Sequence, residues 1–206
     1  MMLYSHNPNS QSGELLAIAL GCKRIRHEGS TFTGHKDELV INWGASKVTP
    51  EVMKCKILNP PWNVAKVVKR AEMFKSLSTM FPIPAFTEDQ ADVEAWVNNG
   101  ATVEEKAGLW MMDVNPTSVF RLHNVMGKNI YTQFKTKNTV APPDGTKALI
   151  KEATEEIRTL LGLHFCAITI GWNDKSNLFH VLDVNTAPEI DGSLAFKYGL
   201  RIKEML

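Results

Sequence analysis

The alternation of apolar and polar positions divides this chain into short elements. Leu3 and Tyr4 open a strand, and the polar residues 9–12 lead into an amphipathic helix that runs to about Leu20 and is closed by Gly21. Residues 38–43 (ELVINW) predict a second apolar strand ending at Gly44. A strand, a helix and a strand so close together predict a small α/β unit; it is too short for a full dinucleotide-binding domain and contains no GxGxxG.

Beyond Asn59-Pro60-Pro61, the apolar residues Val64, Val67, Ala71, Phe74 and Leu77 recur at helical spacing. They predict one helix to about Met80, broken by Pro82 and Pro84. Its other face carries Lys66, Lys69, Arg70 and Lys75, a pattern that reads first as a solvated face. Thr87 and Gln90 suggest a capping box for a helix over 88–98, stopped by Asn99-Gly100. Residues 102–112 and 118–125 read as strands, and 126–129 turn the chain into 130–135 to make a hairpin. On it Arg121 and His123 share one face, Phe120 and Leu122 the other, and Lys135 ends the partner strand. A single His on a strand reads first as an ordinary hydrogen-bonded side chain.

Residues 136–145 form a polar, Pro-rich loop. A helix is predicted over 146–161, with Ile150, Ala153, Ile157, Leu160 and Leu161 as its buried stripe and Gly162 as its terminator. Residues 165–170 and 178–185 then make a second antiparallel hairpin around the turn 173–177.

The return strand of that hairpin carries the densest chemistry. Residues 179–192 read FHVLDVNTAPEIDG, an apolar run that ends at Pro188 and then Asp191-Gly192. Strict alternation places Leu182 and Val184 on one face and Asp183 and Asn185 on the other. A carboxylate and an amide oxygen aimed together from an apolar strand need partners. Such hard oxygen donors suit Mg²⁺ bridging nucleotide phosphates. On spacing alone the pair reads first as a cap of the following turn, which Asp and Asn favour.

Composition narrows the field only a little. Of the 206 residues, 44% are hydrophobic and 22% charged, which is ordinary for a globular protein able to bury a core. A net charge of +1 supplies no basic footprint for nucleic acid or an acidic membrane, leaving the short stretch 66–75 with Trp62 as the only local basis for nucleic-acid binding. Cys22, Cys55 and Cys166 form neither a disulfide framework nor a zinc motif, so reduced thiols in a cytoplasm are expected. The longest early apolar run, 15–20, is too short for a signal segment or a bilayer span, so no membrane partner is expected.

Residues 161–170 (LGLHFCAITI), followed by 181–188 (VLDVNTAP), resemble the C-terminal signature of the ATP-grasp superfamily. The likeness extends to 120–123 (FRLH), 41–44 (INWG) and 7–12 (NPNSQS), and is nearest to the compact proteins often encoded by bacteriophages, related to RimK-type and D-alanyl-D-alanine ligase families. It implies an α+β class with a reduced N-terminal α/β unit over 1–58. The ATP-grasp-like domain would cover 59–206, with two small subdomains of antiparallel sheet and packed helices.

The resemblance further implies ATP and Mg²⁺ as cofactors, small carboxylate and amine substrates, and a ligation through an acyl phosphate, in the host cytoplasm if the gene is a phage's. Carried over by position, Asp183 and Asn185 correspond to the metal ligands, Arg121 and Lys135 to catalytic groups on the phosphates, and Arg70 and Lys106 to further nucleotide contacts. Three departures stand out. Thr169 replaces the family's first metal-binding Asp, residues 107–112 hold no glycine-rich lid, and Glu189 replaces a Gly, with Glu189 or Asp191 as candidates for the missing charge. They define the alternative, a scaffold without turnover that binds a protein or nucleic-acid partner.

Overall fold

A computed structural model describes residues 1–106, 108–135 and 140–206. The chain begins with strand β1 (Met2–Ser5), helix α1 (Gln11–Leu20) and the two-residue strand β2 (Lys23–Arg24). Strand β3 (Leu39–Trp43), the short helix α2 (Pro50–Met53) and strand β4 (Lys56–Leu58) follow. These strands form one parallel sheet in the order β2-β1-β3-β4. Ser10 caps α1 by accepting from Gly13 N, and Gly21 closes it in the left-handed conformation, φ 67°.

The predicted helix over 61–80 is instead two helices, α3 (Pro61–Val68) and α4 (Arg70–Leu77). Lys69, with ψ 74°, breaks the path between them. The apolar spacing is nevertheless satisfied, since Val64, Val67, Phe74 and Leu77 are all buried. The break re-aims the second helix so that Met73, Phe74 and Leu77 enter the core while Arg70 turns toward the cleft.

Strand β5 (Phe86–Thr87) and helix α5 (Gln90–Asn98) come next. The N-cap of α5 is Asp89, which accepts from Ala91 N, and not Thr87, whose hydroxyl accepts from Asp89 N and donates to Asp92. The single strand expected over 102–112 is a hairpin of β6 (Val103–Lys106) and β7 (Leu109–Met112), in which Lys106 pairs with Leu109. Gly108, at φ 78°, permits the reversal. These strands make an antiparallel sheet, β5-β7-β6.

The largest sheet is antiparallel, in the order β11-β10-β8-β9. It joins β8 (Ser118–Val125) and β9 (Lys128–Phe134) to β10 (Phe165–Asn173) and β11 (Leu178–Asn185). Helix α6 (Asp144–Leu160) precedes β10; its buried Ile150, Ala153 and Ile157 share a core with Phe120, Leu122, Ile168 and Ile170 of the sheet. Of the loop expected over 136–145, residues 136–139 lie outside the described residues, and 144 onward already belong to α6.

Sequence reading missed the final helix, α7 (Gly192–Glu204), although Leu194, Ala195, Tyr198 and Ile202 carry its apolar stripe. Asp191 caps it by accepting from Leu194 N at 2.8 Å, so that candidate for the missing metal charge has a structural task. Helix α7 packs on α1, where a side chain at Gly199 would press on Ala19 at 3.1 Å. Trp43 stacks on Phe165 and meets Tyr198 edge to face in the core beneath them.

The first and largest sheets are further tied by Asn59, fully buried at φ 56°. Its Oδ1 accepts from His164 N and Phe165 N, and its Nδ2 donates to Phe165 O. Among the described residues no helix is long and apolar enough to cross a membrane.

Candidate functional site

A cleft opens where these elements meet. Two adjoining hollows, of about 330 and 450 Å³, share Arg70, Lys106, Arg121 and Asp183 in their walls. The four residues come from α4, β6, β8 and β11, elements far apart in sequence.

Asp183 is at the centre. It is 7% exposed, and its two oxygens are held by different cations. Arg70 Nη1 donates to Oδ1 at 2.7 Å, and Lys106 Nζ to Oδ2 at 3.0 Å. Arg70 also donates to Leu182 O at 3.3 Å and lies over the ring of Phe74, so its cation is secured on three sides. A carboxylate this buried requires such partners, because an unpaired charge would be costly there.

The backbone of β11 departs from strict alternation. Thr169 pairs with Asp183 but Ile170 pairs with Val181, which leaves Leu182 as the extra residue of a bulge. The expected pairing of Leu182 with Val184 on one face therefore fails. Val181 and Val184 enter the core, while Leu182 and Asp183 both border the cleft.

Thr169 lies between Arg121 and Asp183 in the sheet register and on the cleft wall. Arg121 Nε donates to its hydroxyl at 3.3 Å. A neutral partner leaves the guanidinium charge of Arg121 uncompensated by this contact, where a carboxylate would have balanced it.

Lys135 does not border either hollow, but it follows β9 two residues after Gln133, the register partner of Arg121. Partial burial and the Arg121 charge lower its pKa, and the Glu189 carboxylate opposes that lowering. Glu189 is exposed on the wall of the larger hollow, where Asn185 also lies. Asn185 Oδ1 accepts from Ala187 N at 2.8 Å, so the turn-capping role expected for this pair is taken by Asn185 alone.

His123, on the same strand face as Arg121, is fully buried and bonds through Nδ1 to the Tyr198 hydroxyl at 3.0 Å. Burial, with Arg121 and Lys135 nearby, pushes its pKa down to about 4. It belongs to the core, as its first reading anticipated.

Among the residues of the larger hollow that were given no role from sequence are His6 and Gly44. They directly follow β1 and β3, the strands at which the parallel sheet changes its winding direction. Ligands of open α/β sheets gather at that place. A Cβ on Gly44, at φ 81°, would come within 2.5 Å of Ala187 Cβ and 3.1 Å of His6 Nδ1. Only glycine lets the two strand ends and the loop after β11 approach so closely.

The donors offered to a magnesium ion are few. Among the described residues no three His, Cys, Asp or Glu side chains converge as a metal site. One carboxylate and one amide suit a single ion carried in with a phosphate ligand, since Mg²⁺ then needs only one or two protein groups. They do not suit a pair of ions, and Asp183 would have to exchange Arg70 or Lys106 for the ion.

No protein-family model matches the chain. No curated protein matches it either. Solved structures do. The ATP-grasp ligase PsnB, complexed with precursor peptide PsnA2 and AMPPNP, aligns at TM-score 0.67 and 10% identity, over 99% of this chain and 96% of PsnB. A RimK domain protein ATP-grasp from Sphaerobacter thermophilus DSM 20745 aligns at TM-score 0.66 and 13% identity, over 98% of this chain and all of the other, 100%. The macrocyclase MdnC from Microcystis aeruginosa MRC, bound with precursor peptide MdnA, aligns at TM-score 0.67 and 9% identity, over 98% and 100% of the two chains. At these identities the likeness establishes the fold, and the fold is that of the ATP-grasp ligases.

Proposed function

We propose that the cleft binds ATP by its phosphates and uses it to activate a carboxylate for capture by an amine. The observation that carries this reading is the gathering of Arg70, Lys106 and Arg121 on the wall of an open hollow, the first two bonded to Asp183 and Arg121 one strand away on Thr169. Glu104 and Asp113 balance these cations on the smaller hollow, but on the larger one the three cations face only Asp183 and Glu189, and a polyphosphate is a ligand that suits the positive excess left there.

In the proposed reaction a carboxylate oxygen attacks the γ-phosphorus, ADP leaves with the electron pair of the broken P–O bond, and an acyl phosphate forms. Arg121, with Lys135 behind it, offsets charge developing on the transferred group, and Arg70 and Lys106 hold the departing phosphates. As the anion enters, Arg70 and Lys106 exchange part of their pairing with Asp183 for the phosphates. Asp183 and Asn185 would hold one Mg²⁺ arriving with ATP, which supplies charge neutralisation and orientation of the phosphates. The neighbours bound with precursor peptides support a peptide as one of the two substrates.

The deciding experiment is calorimetric titration of ATP with and without Mg²⁺, followed by measurement of ADP release on adding amino acids and short peptides. Saturable binding and substrate-dependent ADP release are expected. Absence of nucleotide binding in both titrations overturns the reading.

A further inference from the structure

We propose that His6 is the base that takes the proton from the incoming amine, and that Glu189 receives that amine as an ammonium ion. The inference rests on the ligase reading above and assigns its second step, together with the class of acceptor, a primary amine.

The geometry begins at the Trp43 carbonyl. It accepts from His6 N at 2.9 Å and lies 3.3 Å from His6 Nδ1. A carbonyl only accepts, so Nδ1 carries the hydrogen and Nε2 keeps its lone pair. Trp43 is itself immobile, with its side chain fully buried between Phe165 and Tyr198 and its indole N–H donating to Ser12 Oγ. The imidazole is thus oriented by a rigid element while its ring is exposed on the wall of the larger hollow.

The groups facing that hollow divide by charge. Arg70, Lys106 and Arg121 border one part with Asp183, and these cations repel an ammonium ion. Glu189, at the far end of the Thr186-Ala187 turn from Asn185, is a carboxylate on this wall with no ion pair among the described residues. Lys135, which does not border the hollow, is near enough for the two charges to interact. An amine arriving as its cation is therefore drawn to Glu189 and His6 and away from the phosphate end.

The step balances as follows. His6 Nε2 takes one proton from the ammonium nitrogen, the freed lone pair attacks the acyl carbon, and the C–N bond forms. The acyl C–O bond breaks, and phosphate leaves with its electron pair. The second nitrogen proton passes to phosphate or water, and the imidazolium returns its proton to solvent.

The test uses the full chain with ATP, Mg²⁺ and an equimolar mixture of the protein amino acids as both carboxylate and amine source, with and without hydroxylamine. Hydroxylamine is neutral near pH 7 and captures an acyl phosphate without a base, giving a hydroxamate. For His6→Asn, the ratio of hydroxamate to amide product is expected to rise about 100-fold, a typical contribution of one general base. Raising the pH, which deprotonates the amine directly, should narrow that ratio. Glu189→Gln should raise the KM for the amine more than it lowers kcat. An unchanged product ratio in His6→Asn, with hydroxamate formed normally, overturns the role of His6 and leaves the ligase reading standing. No hydroxamate from the unaltered protein overturns both.

Discussion

Two places on one face of the largest sheet, only a few residues apart, have opposite characters. At one, Arg121, Thr169 and Asp183 face an open, charged cleft. At the other, His123 is sealed against Tyr198, which also meets Phe165 and Trp43 edge to face. Arg121 and His123 obey the same alternation on β8. What separates them is the cover: α7 closes over His123 and stops short of Arg121. A strand's alternation assigns a face, and the next layer decides whether that face is core or site.

The largest expected effect tests the sealed half. With a folded pKa of about 4 against 6.5 unfolded, His123 is held neutral in the native state. The unfolded chain therefore binds the proton first. No penalty exists above pH 6.5, and stability falls as the pH drops from there toward 4. The full loss is about 3 kcal/mol at ~1.4 kcal/mol for each pH unit between the two values. Denaturant unfolding of the protein and of His123→Gln at pH 7.5 and 4.5 isolates this component, because the half-buried His164 and His180 shift in the same direction in both. Equal acid sensitivity of the two proteins would place His123 in contact with solvent.

On the open half, Arg70→Met removes the more buried partner of Asp183, whose side chain is 10% exposed, beside Arg70 at 14%. Breaking a buried pair costs roughly 3–5 kcal/mol, and the Lys106 bond that remains should reduce this to about 2 kcal/mol. ATP affinity should fall at least tenfold as well. A variant of unchanged stability would mean that the pair does not persist in solution.

Much of this arrangement was legible in the chain. The apolar spacing located both hairpins and α6, and the run 179–192 singled out Asp183 before any contact was known. Arg70 was visible only through resemblance, since by pattern it belonged to a solvated helix face. The break at Lys69 that re-aims it is set by tertiary packing, which local spacing does not encode. The same holds for the bulge at Leu182 and for the hairpin of β6 and β7, whose single Gly108 is a weak turn signal. Gly44 gave a weaker signal, as the residue at a predicted strand end, and His6 gave none. Their significance depends on strand order, and β2 and β4, which set that order, were too short to detect.

Thr169→Asp asks whether the open half can be converted toward a two-carboxylate site. The register places the new carboxylate between Arg121 and Asp183. Dependence of ATP binding on Mg²⁺ should increase about tenfold, equivalent to ~1.4 kcal/mol. A destabilised protein with unaltered metal dependence would show that the new group pairs with Arg121 and leaves no donor for the ion.

The smallest stability effect separates the two cations on Asp183. Lys106 bonds the same carboxylate as Arg70 but is 54% exposed at the end of the β6–β7 hairpin. Water and salt screen an exposed partner, so Lys106→Met should cost less than about 1 kcal/mol of folding stability. Its effect on ATP affinity should exceed that, because a phosphate entering the cleft excludes the water that screens the lysine in the empty state. Arg70 serves both fold and cleft, whereas Lys106 serves chiefly the cleft. Calorimetric affinity beside denaturation midpoints for the two variants measures the difference, and equal losses in both quantities for Lys106→Met would make this lysine a structural strut.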